Sequence, residues 1–284
     1  MLTILFDGVA YGMVLFILAA GLSITLGLMN FVNLAHGVFA MAGGYVTAIL
    51  MNRAGVPFLA TLPLAFLVPA AIGLVLERTL YQRLYGRSHL DQVLFTIGLT
   101  FMATAAVDYV MGSQPQLIQL PGWLSGRVDV LGVKIGLYRS FIIAVCGILV
   151  VVLQLVLTRT RFGARLRAAV DDHRVARGLG VNTPAIFAAT FAFGSGLAGL
   201  GGALGAEILG LDPTFPFKFL IYFMIVVTVG GTTSLTGPFL AALLLGVADV
   251  AGKYFVPSLG AFVIYTLMIV VLVVRPHGLF ARAR

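Results

Sequence analysis

Long apolar runs, separated by short breaks rich in charged, proline or glycine residues, dominate the chain. The runs lie near residues 8–28, 34–52, 58–76, 91–112, 138–157, 184–209, 217–231, 237–256 and 258–274. Most approach the ~20 apolar residues that a helix needs to span a bilayer core. The pattern therefore predicts an all-α fold, a polytopic transmembrane helical bundle with about eight to ten spans.

The second run differs from the others because polar and glycine residues interrupt it. It contains Asn33, His36 and the pair Gly43-Gly44. A membrane tolerates irregular backbone only where protein or water covers the freed N–H and C=O groups. We therefore predict a second segment that is either an intact span or a broken or re-entrant one, which leaves the N-terminal topology open.

The composition excludes a water-soluble globule. The residues are 60% hydrophobic and 10% charged, with a mean hydropathy of +1.07, whereas soluble domains average about 25% charged residues. Little sequence remains for an extramembrane domain, so we expect residues 1–284 to form a single transmembrane domain. No basic segment or cleavage site precedes the first run, which we expect to remain a helix.

The placement of the positive charge decides what the net charge of +8 means. Most of the eighteen Lys and Arg residues fall in the breaks 77–90, 158–183 and 275–284. Positive residues collect in cytoplasmic loops of membrane proteins, so we expect these breaks to be cytoplasmic and no nucleic acid to bind. The N-terminus is then outside if the second run spans fully. The break at 113–137 is outside, and we expect a short surface helix or hairpin there.

Small residues are abundant, and the densest stretch runs from Gly194 to Gly202. It satisfies the dinucleotide-binding pattern G-x-G-x-x-G, but that motif requires a preceding strand and a helix that begins at the glycines. Here the glycines lie inside an apolar run, so close helix packing is the better interpretation. The single Cys146 excludes an internal disulfide and a multi-cysteine metal site. We predict no catalytic residues and no metal site.

The break at about 158–183 predicts a short amphipathic helix at the cytoplasmic face. Its incomplete apolar stripe consists of Leu166, Ala169, Val170 and Val175. Gly178 and Gly180 end the helix, and the next helix begins near Pro184. Two interpretations stay open. The segment either only fixes topology and contacts membrane lipid, or it docks a soluble partner.

Ionisable residues inside apolar runs are rare and costly. Asp249 has Lys253 four residues later, a spacing that places both on one helical face and permits an ion pair. A structural pair is our first interpretation of Asp249, and a role in transport is the alternative. His36 either lines a polar break or satisfies a buried hydrogen bond.

Several segments together resemble the branched-chain amino acid permeases of ATP-binding-cassette (ABC) importers. The resemblance is carried by 167–182, by Phe191 to Gly202, by Asn33-Leu-Ala-His-Gly37, by Val229 through Pro238 and by Arg275 to Phe280. It covers nearly the whole chain. Thr233 departs from the commoner G-G-x-G-S form, which puts specificity within the family in doubt but not membership.

The resemblance implies one subunit of an importer in the bacterial inner membrane. Such an importer has a second permease subunit (as a homo- or heterodimer), two cytoplasmic ATPase subunits and a periplasmic solute-binding protein, and it translocates leucine, isoleucine and valine. The chain is then not an enzyme and binds no cofactor, because it lacks the phosphate-binding motif G-x-x-x-x-G-K-[ST]. ATP and Mg would bind to the partner ATPase.

The resemblance also implies that the basic loop is the coupling helix that docks in the ATPase. The residues that carry this role are Arg165, Arg167, Ala168, Asp171, Asp172, His173, Arg174, Arg177, Gly178 and Gly180. For His173, an exposed position without a role is the alternative. An aliphatic zwitterion needs only a weak site in such a permease. We predict that the polar residues of the translocation path are Asn30, Asn33, His36, Thr96, Thr100 and Asp249.

Two other functions remain open at this point. Importers of urea or short-chain amides resemble the chain closely enough that the substrate stays undecided. An ion-coupled secondary transporter is the alternative from another class, and its sign would be broken helices with several midplane carboxylates. Asp249 alone fits that description, which favours the ATP-driven importer.

Overall fold

The computed structural model describes residues 1–29, 31–130, 133–231, 234–275 and 278–279. These residues form eleven α-helices and one small β-hairpin. The helices are α1 (Leu2–Met29), α2 (His36–Ala54), α3 (Phe58–Thr79), α4 (His89–Met111), α5 (Leu137–Arg159), α6 (Arg161–Asp171), α7 (His173–Gly178), α8 (Thr183–Leu209), α9 (Phe215–Gly230), α10 (Thr236–Phe255) and α11 (Gly260–Val274).

The long helices coincide with the apolar runs, which confirms the prediction of an all-α polytopic membrane bundle. In the described part of the chain, six helices are long and apolar enough to cross a membrane, namely α1, α3, α4, α5, α8 and α10. Helices α9 and α11 are shorter but also apolar. Helix α2 is the polar exception, because it begins at His36 and contains Asn52 and Arg53.

The predicted outer break contains the hairpin rather than a surface helix. Strand β1 (Arg127–Val130) pairs antiparallel with β2 (Val133–Gly136), and Arg127 lies opposite Gly136. The chain also returns to this end of the bundle after α8, where Gln116 and Leu211 form an isolated bridge. The hairpin and the bridge therefore mark one end of the bundle, which we call the outer end.

The opposite end of the bundle holds the basic segments. The last turns of α1 and α3 lie around one cleft with α6, α7 and the first turn of α8. A second, smaller cavity there is lined by the ends of α1 and α5 and the start of α10. Since Lys and Arg collect on the cytoplasmic side of membrane proteins, this end is the cytoplasmic one.

Helix α8 lies at the centre of the bundle, and its glycines make the close packing possible. A Cβ atom added at Gly202 would lie 1.9 Å from the carbonyl oxygen of Ala40 in α2. One added at Gly199 would lie 2.4 Å from the carbonyl oxygen of Ala65 in α3. Real side chains do not approach so closely, so these positions require glycine. The glycine-rich stretch is therefore a packing surface inside a helix, as the sequence predicted.

Candidate functional site

Helix α6 folds back onto the cytoplasmic end of α5. The hydroxyl of Thr160 caps it by accepting the N–H of Gly163 at 3.3 Å, an arrangement that satisfies an otherwise free amide of the first turn. Gly163 packs directly on the backbone of Leu157, where a Cβ would lie 2.1 Å from the carbonyl oxygen. Leu166 and Ala169 are buried beneath the helix. The basic face of α6 is thereby turned outward.

The sequence predicted one amphipathic helix here, and that prediction was wrong in one respect. The helix breaks at Asp172, whose Oδ1 accepts the N–H groups of Arg174 at 2.8 Å and Val175 at 3.0 Å. This side-chain cap starts a second helix, α7. Val175, which we expected in the apolar stripe, is 57% exposed. Gly180, with a φ of +82°, ends the unit in the left-handed region that glycine adopts without strain.

The side chains of His173 and Arg177 contact the start of α8. The Thr183 hydroxyl accepts a hydrogen bond from Nε of Arg177 at 3.1 Å and lies 3.0 Å from Nε2 of His173. The His173 ring also stacks on Phe187, with ring centroids 6.0 Å apart. These contacts join α7 to the first turn of α8.

The outward surface of the α6–α7 unit combines positive charge with apolar side chains. The predicted coupling residues that are exposed on it are Arg165, Arg167, Ala168, Asp171, Asp172, Arg174, Arg177, Gly178 and Gly180. Val175 and Leu179 stand beside them, and Leu179 is 79% exposed. Exposed apolar groups with a charged rim are typical of protein interaction surfaces. We call this the α6–α7 surface.

Glu77 is a residue of this region that the sequence reasoning missed. It lies in the last turn of α3, fully buried, and accepts hydrogen bonds from Gln82 at 3.2 Å and from the hydroxyl of Tyr85 at 2.9 Å. Burial, and then the charge of Glu77, raises the pKa of Tyr85. With His173 and Arg177, these residues line a cleft of about 920 Å³ under α7. The cleft leaves room for α7 to move.

Helix α2 is continuous from His36 to Ala54, but a non-helical segment, residues 31–35, precedes it, and α4 covers that segment. The Gln92 side chain accepts the N–H of Val32 at 3.0 Å, and the Thr96 hydroxyl accepts that of Leu34 at 3.1 Å. The Thr100 hydroxyl donates to the Leu34 carbonyl at 3.4 Å. Side chains of α4 thus replace the missing helical hydrogen bonds, as a bilayer requires.

Of the polar residues predicted for the path, Asn33, His36, Thr96 and Thr100 lie at or beside residues 31–35. Asp249 lies apart from them in α10, and Asn30 lies outside the described residues. Asn33 is buried, and its Nδ2 has no hydrogen-bond partner within the described part of the chain. Nε2 of His36 lies 2.7 Å from the Leu18 carbonyl oxygen, which is the buried hydrogen bond of our second interpretation. Thr96 and Thr100 bind the extended segment rather than an open channel. Their role in translocation remains a prediction.

A row of polar residues along α4 continues beyond Thr100. Gln92, Thr96, Thr100, Thr104 and Asp108 recur at every fourth position, so each lies about one turn from the next, and the row winds around the helix by about 40° per step. The inner three bind residues 31–35, whereas Thr104 and Asp108 lie in an outer crevice. We call this row the α4 polar stripe. The four-residue spacing was visible in the sequence, but a role for Thr104 was not.

Asp249 forms the ion pair that its spacing permits. Its Oδ2 lies 2.5 Å from Nζ of Lys253. Asp249 is 1% exposed, whereas the lysine side chain is half exposed and lies over the ring of Tyr11. A long side chain that reaches toward water is the usual way for a lysine to compensate a buried carboxylate. The pair supports a structural role, and transport by Asp249 remains a prediction.

Segments of the resemblance fall partly outside the described residues, including Thr232 and Thr233 and the residues Pro276, His277 and Phe280. What is described shows several apolar spans, a non-helical segment before α2 that polar side chains cover, and an exposed basic unit at the cytoplasmic end. These features define a multi-pass membrane transport subunit. The chain belongs to the family described as "Branched-chain amino acid transport system / permease component", whose model matches residues 4–272.

Relatives with related names match the chain over most of its length. The chain is similar to the high-affinity branched-chain amino acid transport system permease protein BraD of Pseudomonas aeruginosa, with 30% identity over 98% of this chain and 95% of that protein. It is 26% identical to LivH of Escherichia coli K12, over 98% of this chain and 94% of LivH. LivM of the same organism is 27% identical over 96% of this chain and 69% of LivM. No solved structure matches.

The family and the apolar helices together confirm two predictions. The chain is a member of the branched-chain amino acid permease family, and it is a multi-pass protein of the bacterial inner membrane. Its relatives are named as transport permeases, which is consistent with a transport subunit. Relatives named as permease components of transport systems imply that the chain works in a complex with other subunits.

Proposed function

We propose that this chain is the membrane-spanning subunit of an ATP-driven importer for leucine, isoleucine and valine. The observation that carries the proposal is the exposed α6–α7 surface. It presents Val175 and Leu179 among arginines at the cytoplasmic end, on a unit that contacts both α5 and α8. A unit that served only to fix topology would need the arginines, but not exposed apolar side chains.

The cytoplasmic partner in this proposal is a pair of ATPase subunits, which bind ATP and Mg. Movement of an ATPase docked on the α6–α7 surface pulls on Thr183 through His173 and Arg177 and so reaches the central helix α8. Two arrangements of the membrane helices, biased by the ATPases, would open the path alternately to either side. The cleft beneath α7 gives the space for this movement.

The remaining partners are a second permease subunit and a periplasmic solute-binding protein. The similarity to both LivH and LivM of one organism supports a pair of related permease chains, as a homo- or heterodimer. Selection of the substrate belongs to the binding protein, so the membrane path needs only weak polar contacts. The names of the relatives favour branched-chain amino acids over urea or short-chain amides.

An ion-coupled secondary transporter is the competing function. It requires a carboxylate in the membrane that is free to bind a proton or a cation. Asp249 is paired with Lys253, which leaves it poorly suited to that task. The pairing therefore supports the ATP-driven interpretation.

The test is purification of the tagged chain in mild detergent with identification of the bound subunits. We expect an ATPase to co-purify. Its rate of ATP hydrolysis should rise when the binding protein is supplied with leucine, but not when it is supplied with urea. A chain that purifies without any ATPase from cells that express the whole transport system would contradict the proposal. Stimulation by urea instead of leucine would contradict the substrate alone.

A further inference from the structure

A crevice of about 550 Å³ opens at the outer end of the bundle. It lies beside the part of the α4 polar stripe that extends past residues 31–35. One wall is the outer half of α4, with Phe101, Thr104 and Asp108, and the other is the turn into α9, with Asp212 and Lys218. Its volume falls within the ~300–1,000 Å³ typical of small-molecule sites. None of these residues was predicted for the translocation path.

The crevice carries charges of both signs. Asp212 forms an ion pair with Lys218 and accepts the N–H of Thr214 at 2.8 Å. Partial burial opposes ionisation, but the hydrogen bonds from Lys218 and Thr214 hold the pKa of the Asp212 carboxyl below its usual range. Asp108 accepts one hydrogen bond, from Ser113 at 2.6 Å, and pairs with no Lys or Arg of the described residues. One carboxylate is therefore left without a cation.

One buried hydroxyl group in the crevice wall lacks a partner. Within the described residues, Oγ1 of Thr104 makes no hydrogen bond. Thr104 lies one helical turn before Asp108, and both residues line the crevice. Buried polar groups are nearly always bonded, so an unpartnered hydroxyl in the wall of a polar crevice points to a bound polar molecule.

We propose that this outer crevice is the first subsite of the chain for the transported amino acid. Asp108 binds the α-ammonium group, Lys218 and the hydroxyl of Thr104 bind the α-carboxylate, and Phe101 contacts the aliphatic side chain. The inference rests on the proposed function. The site requires one small molecule that has an aliphatic side chain and both charges of a zwitterion. An amine or a carboxylic acid alone therefore satisfies only half of the site.

The test uses the chain co-purified with its partner subunits in lipid nanodiscs, without binding protein. The thermal unfolding midpoint is measured with leucine, with isoamylamine, which lacks the carboxylate, and with 4-methylpentanoate, which lacks the ammonium group. We expect leucine alone to raise the midpoint, because only ligands that bind the folded state stabilise it. Asp108→Asn and Lys218→Gln should each weaken the leucine affinity at least tenfold.

Thr104→Val separates binding from folding. It removes an unpartnered hydroxyl at nearly constant volume, so the ligand-free midpoint should stay equal or rise, while the leucine affinity falls at least threefold. Thr104→Ser should retain wild-type affinity, and the control Met102→Leu, on the exposed side of α4, should change neither quantity.

Leucine uptake by the same complex in proteoliposomes, with ATP and Mg inside and the leucine-loaded binding protein outside, separates the two hypotheses. Wild-type uptake with an unchanged leucine affinity in Asp108→Asn and Thr104→Val would overturn the subsite alone. Equal stabilisation by isoamylamine and leucine would also overturn it. A wild-type complex that takes up no leucine would overturn the proposed function, and the subsite with it.

Discussion

Replacing Gly178 with leucine tests whether the end of α7 binds a partner. Among the described residues, no heavy atom lies within 4 Å of a Cβ atom added at this position. The φ of Gly178 is not in the left-handed region, unlike that of Gly180. Leucine is also the better helix former by up to about 1 kcal/mol. The variant chain should therefore be as stable as the wild type, or slightly more stable.

The docked state should respond differently. A side chain forced into a packed contact costs about 1–3 kcal/mol, which corresponds to a loss of ATPase affinity of about fivefold to more than a hundredfold. We expect Gly178→Leu to reach normal membrane levels and a normal unfolding midpoint, yet to lose most of the co-purifying ATPase and of leucine uptake. Immunoblots, thermal unfolding and uptake of labelled leucine measure the three quantities.

The matched control is Gly147→Leu in α5, where an added Cβ atom also meets open space among the described residues. It should leave ATPase binding and uptake unchanged. Gly180→Ala gives a contrast, because a left-handed φ of +82° costs a non-glycine residue about 1–2 kcal/mol. Full uptake and ATPase binding in Gly178→Leu would refute the docking assignment, and a lowered midpoint would refute the steric argument.

Three further changes follow from the contacts. Gly202→Ala should lower the free energy of unfolding by about 1–3 kcal/mol, because the added Cβ atom meets the backbone of α2. Gly147→Ala should not lower it. Thermal unfolding measures both variants, and equal stability would contradict the packing. Lys253→Gln should destabilise the protein by about 3 kcal/mol, because it leaves the buried carboxylate of Asp249 without its cation. Asp249→Asn should destabilise it less. The reverse order in thermal unfolding would favour a transport role. Thr183→Val should cost about 1–2 kcal/mol and reduce co-purified ATPase by loosening α7, and unaltered ATPase recovery would show that this contact does not position the α6–α7 surface.

The spans were predictable because the bilayer imposes one length and one polarity on every helix that crosses it. Asn33 and His36 were visible as polar residues near the start of the second run, and the structure has non-helical backbone at 31–35, although α2 itself is continuous. The covering of residues 31–35 was not predictable, because it depends on α4 lying against them. The four-residue spacing of the α4 polar stripe was visible in the sequence, but what its side chains bind was not.

The cytoplasmic unit shows where local pattern fails. Leu166, Ala169 and Val170 follow helical spacing, but Val175 is nine residues after Leu166 and would face the opposite side even on one continuous helix. The carboxylate of Asp172 caps a new helix, and the apolar pattern did not predict that break. Glu77 was assigned to a cytoplasmic break, since a glutamate usually marks a solvated end. Its burial became evident only when the fold brought Tyr85 and Gln82 to it.

The most direct test of the central claim is leucine accumulation by the purified complex in proteoliposomes. ATP and Mg are enclosed inside, and the leucine-loaded binding protein is added outside. We predict accumulation that requires both ATP and the binding protein and persists when ionophores collapse the ion gradients. Accumulation without ATP that an ionophore abolishes would contradict the account and identify an ion-coupled transporter.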